Sequence, residues 1–215
     1  MGFSFTPLVM RRIVIALWII AGLLVIAIGY RLAFAPVADP GQETFPTLQS
    51  SDVVQAPTGH AYKYIAAPNL TWDQARRQAM RQSFHGQQGY LATINDKTEF
   101  DFLMAKVFPD TTVTNVTYLG GRQTAPGEWR WVTGPDAKAD NGKGLLFWTG
   151  NEYGHAVDGH YANWMDTAFQ HGSRWDTSKV CCVTLFSYRK RQFSTSLGNG
   201  FSEEAVAGYL VEFGQ

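Results

Sequence analysis

Little in this sequence would staple or charge a fold. Only two of its 215 residues are cysteine, Cys181 and Cys182, and they are adjacent. Neighbouring strand residues point to opposite faces, so a bond between them would be strained. The pair therefore reads as two free thiols, at least one of them buried. A small secreted disulfide scaffold is excluded. An excess of one charge is also missing, because 18 Lys and Arg balance 18 Asp and Glu. That balance argues against a nucleic-acid partner, which favours a basic face. There is no internal repeat, no low-complexity tract, no nucleophile elbow, no phosphate loop and no His-Glu-x-x-His.

Aromatic residues are plentiful, at 14% with seven Trp, and there are 21 Gly. Together they suit a packed, strand-rich core with many turns. One long apolar run stands apart. Ile13 to Tyr30 carries no charge. At about 1.5 Å per residue it spans roughly 27 Å, close to a hydrocarbon core. Arg11 and Arg12 precede it, while Asp39 and Glu43 dilute Arg31 after it. The excess of positive charge places the N-terminus in the cytoplasm. Residues 1–12 are thus an expected cytoplasmic N-terminus and 13–34 a transmembrane helix. The rival reading is a cleaved signal peptide ending at Ala33-Phe34-Ala35. Pro36 directly after that bond and the length of the apolar run favour the uncleaved anchor.

Residues 35–58, rich in Pro, Gly, Ser, Thr and Gln, read as a linker. Residues 59–215 read as one domain. His60 to Ile65 alternates like a strand. Thr71-Trp-Asp-Gln74 is a capping box opening a helix to about Ser83, and Asp96-Lys-Thr-Glu99 is a second. Phe100, Leu103, Met104 and Val107 then follow helical spacing up to Pro109. Strands are expected at Val116–Gly120, Glu128–Val132, Val180–Phe186 and Gly208–Phe213, with a long loop from Gly134 to Trp175. Two early helices, antiparallel strands and one long loop make an α+β domain.

Seven short motifs occur in order: Thr71-Trp72-Asp-Gln-Ala75, Gly89 to Ile94, Glu99-Phe-Asp-Phe102, Tyr118-Leu-Gly-Gly121, Trp129 to Pro135, Phe147-Trp148 with Tyr161-Ala-Asn163-Trp164, and Gly208 to Glu212. In these residues the chain resembles the C-type lectin-like domain family over about Gly59 to Gln215. The resemblance implies a C-type lectin-like fold whose long loop presents a recognition surface. The motif tryptophans and Leu119 read as core, and Gly120 and Gly121 as points of close packing.

The departures narrow the function. The family's calcium-dependent sugar binders place Glu-Pro-Asn or Gln-Pro-Asp after the "NW", but here Met165 to Phe169 follows. They place Trp-Asn-Asp before the last strand, but here the run is Gly200 to Glu204. A hard cation needs six to eight oxygens. Calcium is therefore unsupported by the usual motifs, and no cofactor is expected. A displaced site would draw on Asp158, Asn163, Asp166 and Glu203. The family's usual disulfide cysteines are mostly absent, a form of the fold familiar in bacteria.

Three functions follow. The first is a non-enzymatic binding module, an accessory subunit that docks to protein in a membrane complex and holds its domain in the periplasm or outside the cell. The second is carbohydrate recognition, with Trp148, Tyr153, Tyr161 and Trp164 stacking on sugar rings beside Asn163. The third, ranked last, is an enzyme using a loop metal or one of the thiols with a loop histidine such as His160. Asn69-Leu-Thr71 and Asn115-Val-Thr117 match glycosylation sequons, but Thr71 is better explained as a cap and Thr117 as a strand residue. Arg189-Lys-Arg191 reads as the tip of a hairpin.

Overall fold

The computed structural model describes residues 51–109, 116–151, 153–166, 168, 180–186, 192–197 and 206–214. The expected cytoplasmic N-terminus, transmembrane helix and most of the linker lie outside them. So do Glu203 and the Arg189–Arg191 cluster. Among the described residues no helix is long and apolar enough to cross a membrane. All of them belong to the unit Phe45–Gln215.

Helix α1 spans Trp72–Ala79. Thr71 starts it as the sequence predicts: its Oγ1 accepts from Gln74 N at 3.2 Å, and Gln74 Oε1 accepts from Thr71 N at 2.9 Å. It ends earlier than expected, and Ser83–Phe84 (β3) instead pairs with Gln87–Gln88 (β4). Helix α2 spans Lys97–Lys106. Its second capping box is only half formed. Asp96 Oδ1 accepts from Glu99 N at 2.8 Å, but Glu99 turns to Tyr62 and to Asn95 N rather than to the Asp96 amide.

The sheet begins before Gly59. Val54–Gln55 (β1) pairs with Ala61–Ala66 (β2), and Ser51 Oγ accepts from Tyr64 N at 2.9 Å. The end of the expected linker is thus part of the domain, and a two-residue strand has no period to read. β2 flanks one edge of Val206–Phe213 (β12), and Tyr90–Leu91 (β5) pairs with the end of its opposite edge. Along that same edge, nearer its start, β12 runs parallel to the start of Val116–Ala125 (β6). The second half of β6 pairs with Glu128–Trp131 (β7), which pairs with Leu145–Thr149 (β8), which pairs with His155–Ala156 (β9). Val180–Phe186 (β10) lies along the far side of β6 and forms a hairpin with Gln192–Leu197 (β11). The long loop expected from Gly134 to Trp175 therefore contains two strands. Leu145–Thr149 is apolar without alternation, so its period is silent.

Trp129, Trp131 and Leu119 are fully buried, as the sequence predicts. Trp131 stacks on Phe147 with ring centroids 4.4 Å apart. Phe100, Leu103, Met104 and Val107 of α2 and its end join that cluster. A second cluster gathers Trp72, Ala75 and Ala79 of α1 against Tyr209 and Val211. Each large side chain so buried contributes about 2 kcal/mol. Trp72 Nε1 also donates to Leu119 O at 2.8 Å, tying α1 to the sheet. A Cβ on Gly121 would lie 2.6 Å from Val183 Cγ2 and 2.8 Å from the Trp131 ring, so only glycine admits that packing.

The expectation of two free thiols is corrected. Cys181 and Cys182 are joined as a vicinal disulfide. Strand alternation fails here because β10 is irregular. Its register shifts between Val180 and Cys182 against β11, and between Cys182 and Thr184 against β6. Cys182 is wholly buried, so the thiol half of the enzyme expectation has no free nucleophile.

Candidate functional site

The β8–β9 hairpin builds the first region. Gly150 has φ +97°, and a Cβ on it would lie 2.6 Å from Gly154 Cα, so the two glycines let the arms close. Gly150 N donates to Gly127 O at 2.7 Å, and Gly154 N donates to Asn151 O at 2.9 Å. These bonds fix the turn that carries Tyr153, which is 94% exposed. Of the four aromatics expected to stack on a ligand, Tyr153 is the one left open. Trp148 and Trp164 are half-buried against the core. The Trp164 ring lies 5.3 Å from Trp129, 5.8 Å from Phe193 and 6.3 Å from Trp148. Phe193 N donates to Asn163 O at 2.7 Å, and Met165 N donates to Phe193 O at 3.0 Å, so β11 pins this segment.

Tyr161 is also half-buried, 5.7 Å from Phe100 and 5.9 Å from Phe193 between ring centroids. Burial, with the nearby Asp101, pushes its phenol up to about 12. Tyr161 and Asn163 line a shallow groove with Lys97, Phe100, Asp101 and Met104. Lys97 Nζ and Asp101 Oδ2 pair at 2.6 Å on its rim.

Two of the residues expected to hold a displaced calcium lie on the surface. Asp158 is exposed with φ +49°, and Asp166 is exposed. Glu203 lies outside the described residues. Among the described residues no three His, Cys, Asp or Glu are placed to hold a metal.

A second region was not anticipated. It lies where β2, the start of α2 and the end of β12 meet. Glu212 Oε1 pairs with His60 Nδ1 at 2.5 Å, and Glu212 Oε2 accepts from Thr93 N at 3.0 Å. Glu99 Oε1 accepts from Tyr62 Oη at 2.7 Å, and Glu99 Oε2 accepts from Asn95 N at 2.9 Å. Asn95 Nδ2 donates to Asp136 Oδ2 at 2.8 Å. Burial, reinforced by Glu212, pushes Glu99 up to about 7. The bond to Glu212 raises His60. Tyr62 and Tyr90 are pushed well up, first by burial and then by Glu212. A cavity of about 310 Å³ opens beside the cluster, lined by Pro57, His60, Tyr62, Glu99, Phe102 and Glu212. The sequence signal was a glutamate inside the otherwise apolar Tyr209–Phe213 stretch, masked by its place in a fold motif.

No family model matches the chain. Halomucin of Haloquadratum walsbyi is 33% identical over 117 residues, which is 54% of this chain and 1% of that protein. Among solved structures, the C-type lectin CEL-I of Cucumaria echinata covers 72% of this chain and 90% of its own, at 13% identity and TM-score 0.45. The human scavenger receptor C-type lectin carbohydrate-recognition domain covers 72% and 92%, at 16% identity and TM-score 0.44. Human lithostathine covers 85% and 99%, at 14% identity and TM-score 0.47. Two of these three are C-type lectins by name.

Proposed function

We propose that this chain is a membrane-anchored, non-enzymatic binding module with a C-type lectin-like fold. Residues 13–34 hold it in the membrane with the N-terminus cytoplasmic. The domain stands in the periplasm or outside the cell and docks to protein, as an accessory subunit of a membrane complex. One observation carries the docking surface: Tyr153 stands 94% exposed on a turn fixed by backbone hydrogen bonds. Exposed tyrosines supply contact area at little entropic cost and are frequent anchors of interfaces. Cross-linking of the full-length protein in its own membrane, followed by mild detergent extraction, is expected to retain a partner. Tyr153→Ala is expected to lose most of that yield. A chain that stays alone under these conditions, or a yield unchanged by Tyr153→Ala, ends this reading.

Carbohydrate recognition is the second reading, and the groove at Tyr161 favours it. It combines an aromatic edge with an amide, an ammonium and a carboxylate, the groups that recognise a polyol. A glycan array with and without chelator is expected to show binding that Asn163→Ala reduces. Blank arrays in both conditions remove this reading. The enzyme reading keeps only a loop metal, and metal analysis of the purified protein decides it.

A further inference from the structure

A cavity of about 560 Å³ opens between the end of α1, the β3–β4 hairpin and the Gly134–Lys138 turn. Its Tyr90 floor borders the Glu212 cluster, whose carboxylates stay outside its lining. Arg76 and Lys138 line it, together with the amides of Gln87 and Gln88, and no carboxylate does. A cleft lined by one sign of charge concentrates ions of the other. Arg76 is free to turn to a ligand. Its nearest acid, Asp73, lies 3.9 Å away with both side chains exposed, a weak pair. The guanidinium reaches across Met80, with Nη1 at 4.0 Å from Sδ.

The floor is preshaped. Gly134 has φ +58°, and a Cβ there would run into the Tyr90 ring. A Cβ on Gly89 would lie 2.7 Å from Val211 Cγ1. Tyr90 itself is buried, and burial raises its phenol. Glu212, Asp136 and Glu99 act on Tyr90 from outside the lining; Glu212 is held by His60 and the Thr93 amide, and Asp136 by Asn95. The volume falls within the roughly 300–1,000 Å³ of small-molecule sites, larger than a bare oxyanion needs.

We propose that this cavity binds an anionic group, a carboxylate or a sulfate ester, carried on a polyhydroxylated ligand. Arg76 and Lys138 take the charge, with the Arg fork suited to two oxygens; the Gln87 amide and the Gln88 amide oxygen, whose Nε2 already donates to Met80 O at 2.9 Å, take hydroxyls. The test uses the full-length protein in detergent at constant ionic strength. Calorimetric titrations with galacturonate, galactose 6-sulfate, neutral galactose and inorganic sulfate separate the sources. At least one acidic sugar is expected to bind saturably, with galactose and inorganic sulfate each about tenfold weaker or more. Arg76→Gln and Lys138→Gln should each weaken the acidic sugar by about tenfold, while Lys106→Gln on α2 and Tyr153→Ala leave it unchanged. No saturable binding, or equal binding by the Arg76 and Lys138 variants, overturns the site. Inorganic sulfate matching the sugars overturns the polyhydroxylated ligand. The Tyr153 control keeps this result apart from the docking surface.

Discussion

Glu99 shows how one side chain sets the behaviour of a site. Its carboxyl titrates in the unfolded chain near 4.5 and in the folded protein near 7. The folded protein therefore holds a proton that the unfolded chain releases. That contribution is complete below about pH 4.5 and is lost as pH rises through 7. His60 acts in the same direction, because its raised value favours the charged form and its contribution is lost above the usual histidine range. Thermal unfolding is expected to show stability falling between pH 4.5 and 8, on the order of 2 kcal/mol. Glu99→Gln should flatten that fall, since an amide does not titrate in this range. A profile that is flat in the wild type, or unchanged in the variant, contradicts this account of the cluster.

At the scale of elements, helix starts and core strands were legible. Thr71 and Asp96 announce their helices because a side-chain oxygen must meet an orphan amide, and that need is local. Thr71→Ala is expected to cost about 1 kcal/mol in denaturant unfolding without changing the slope. Trp129 and Trp131 were legible as core because large apolar side chains have few other places to go. What escaped notice was short or tertiary. β1 spans two residues, β8 has no alternation, and β11 carries Phe193 among polar neighbours. The vicinal disulfide lies where β10 shifts register against both neighbouring strands, a feature its own period does not announce. Trp148 and Trp164 looked like ligand platforms because sequence gives no hint of which side of a loop faces the core. Half of the candidate site was therefore named from sequence, while its exposure and the His60–Glu99–Glu212 cluster needed the fold.

At the scale of the molecule, the anchor and the domain make separate predictions. A chain retaining residues 13–34 is expected to stay in the membrane pellet after alkaline carbonate extraction. A chain starting at Ser51 is expected in the supernatant. Both should unfold with the same pH profile if the domain is independent of its tether. Release of the full chain by carbonate contradicts the anchor.

The placement of β12 has a consequence for how the domain is made. This strand lies between β2 and the start of β6, yet it is the last of the described strands to leave the ribosome. Until it arrives, β2 and β6 both present open edges, each a template for pairing with another chain. Closure of the sheet must therefore wait for the synthesis of β12. A nascent chain that stalls shortly before Val206 would be the species most in need of a chaperone.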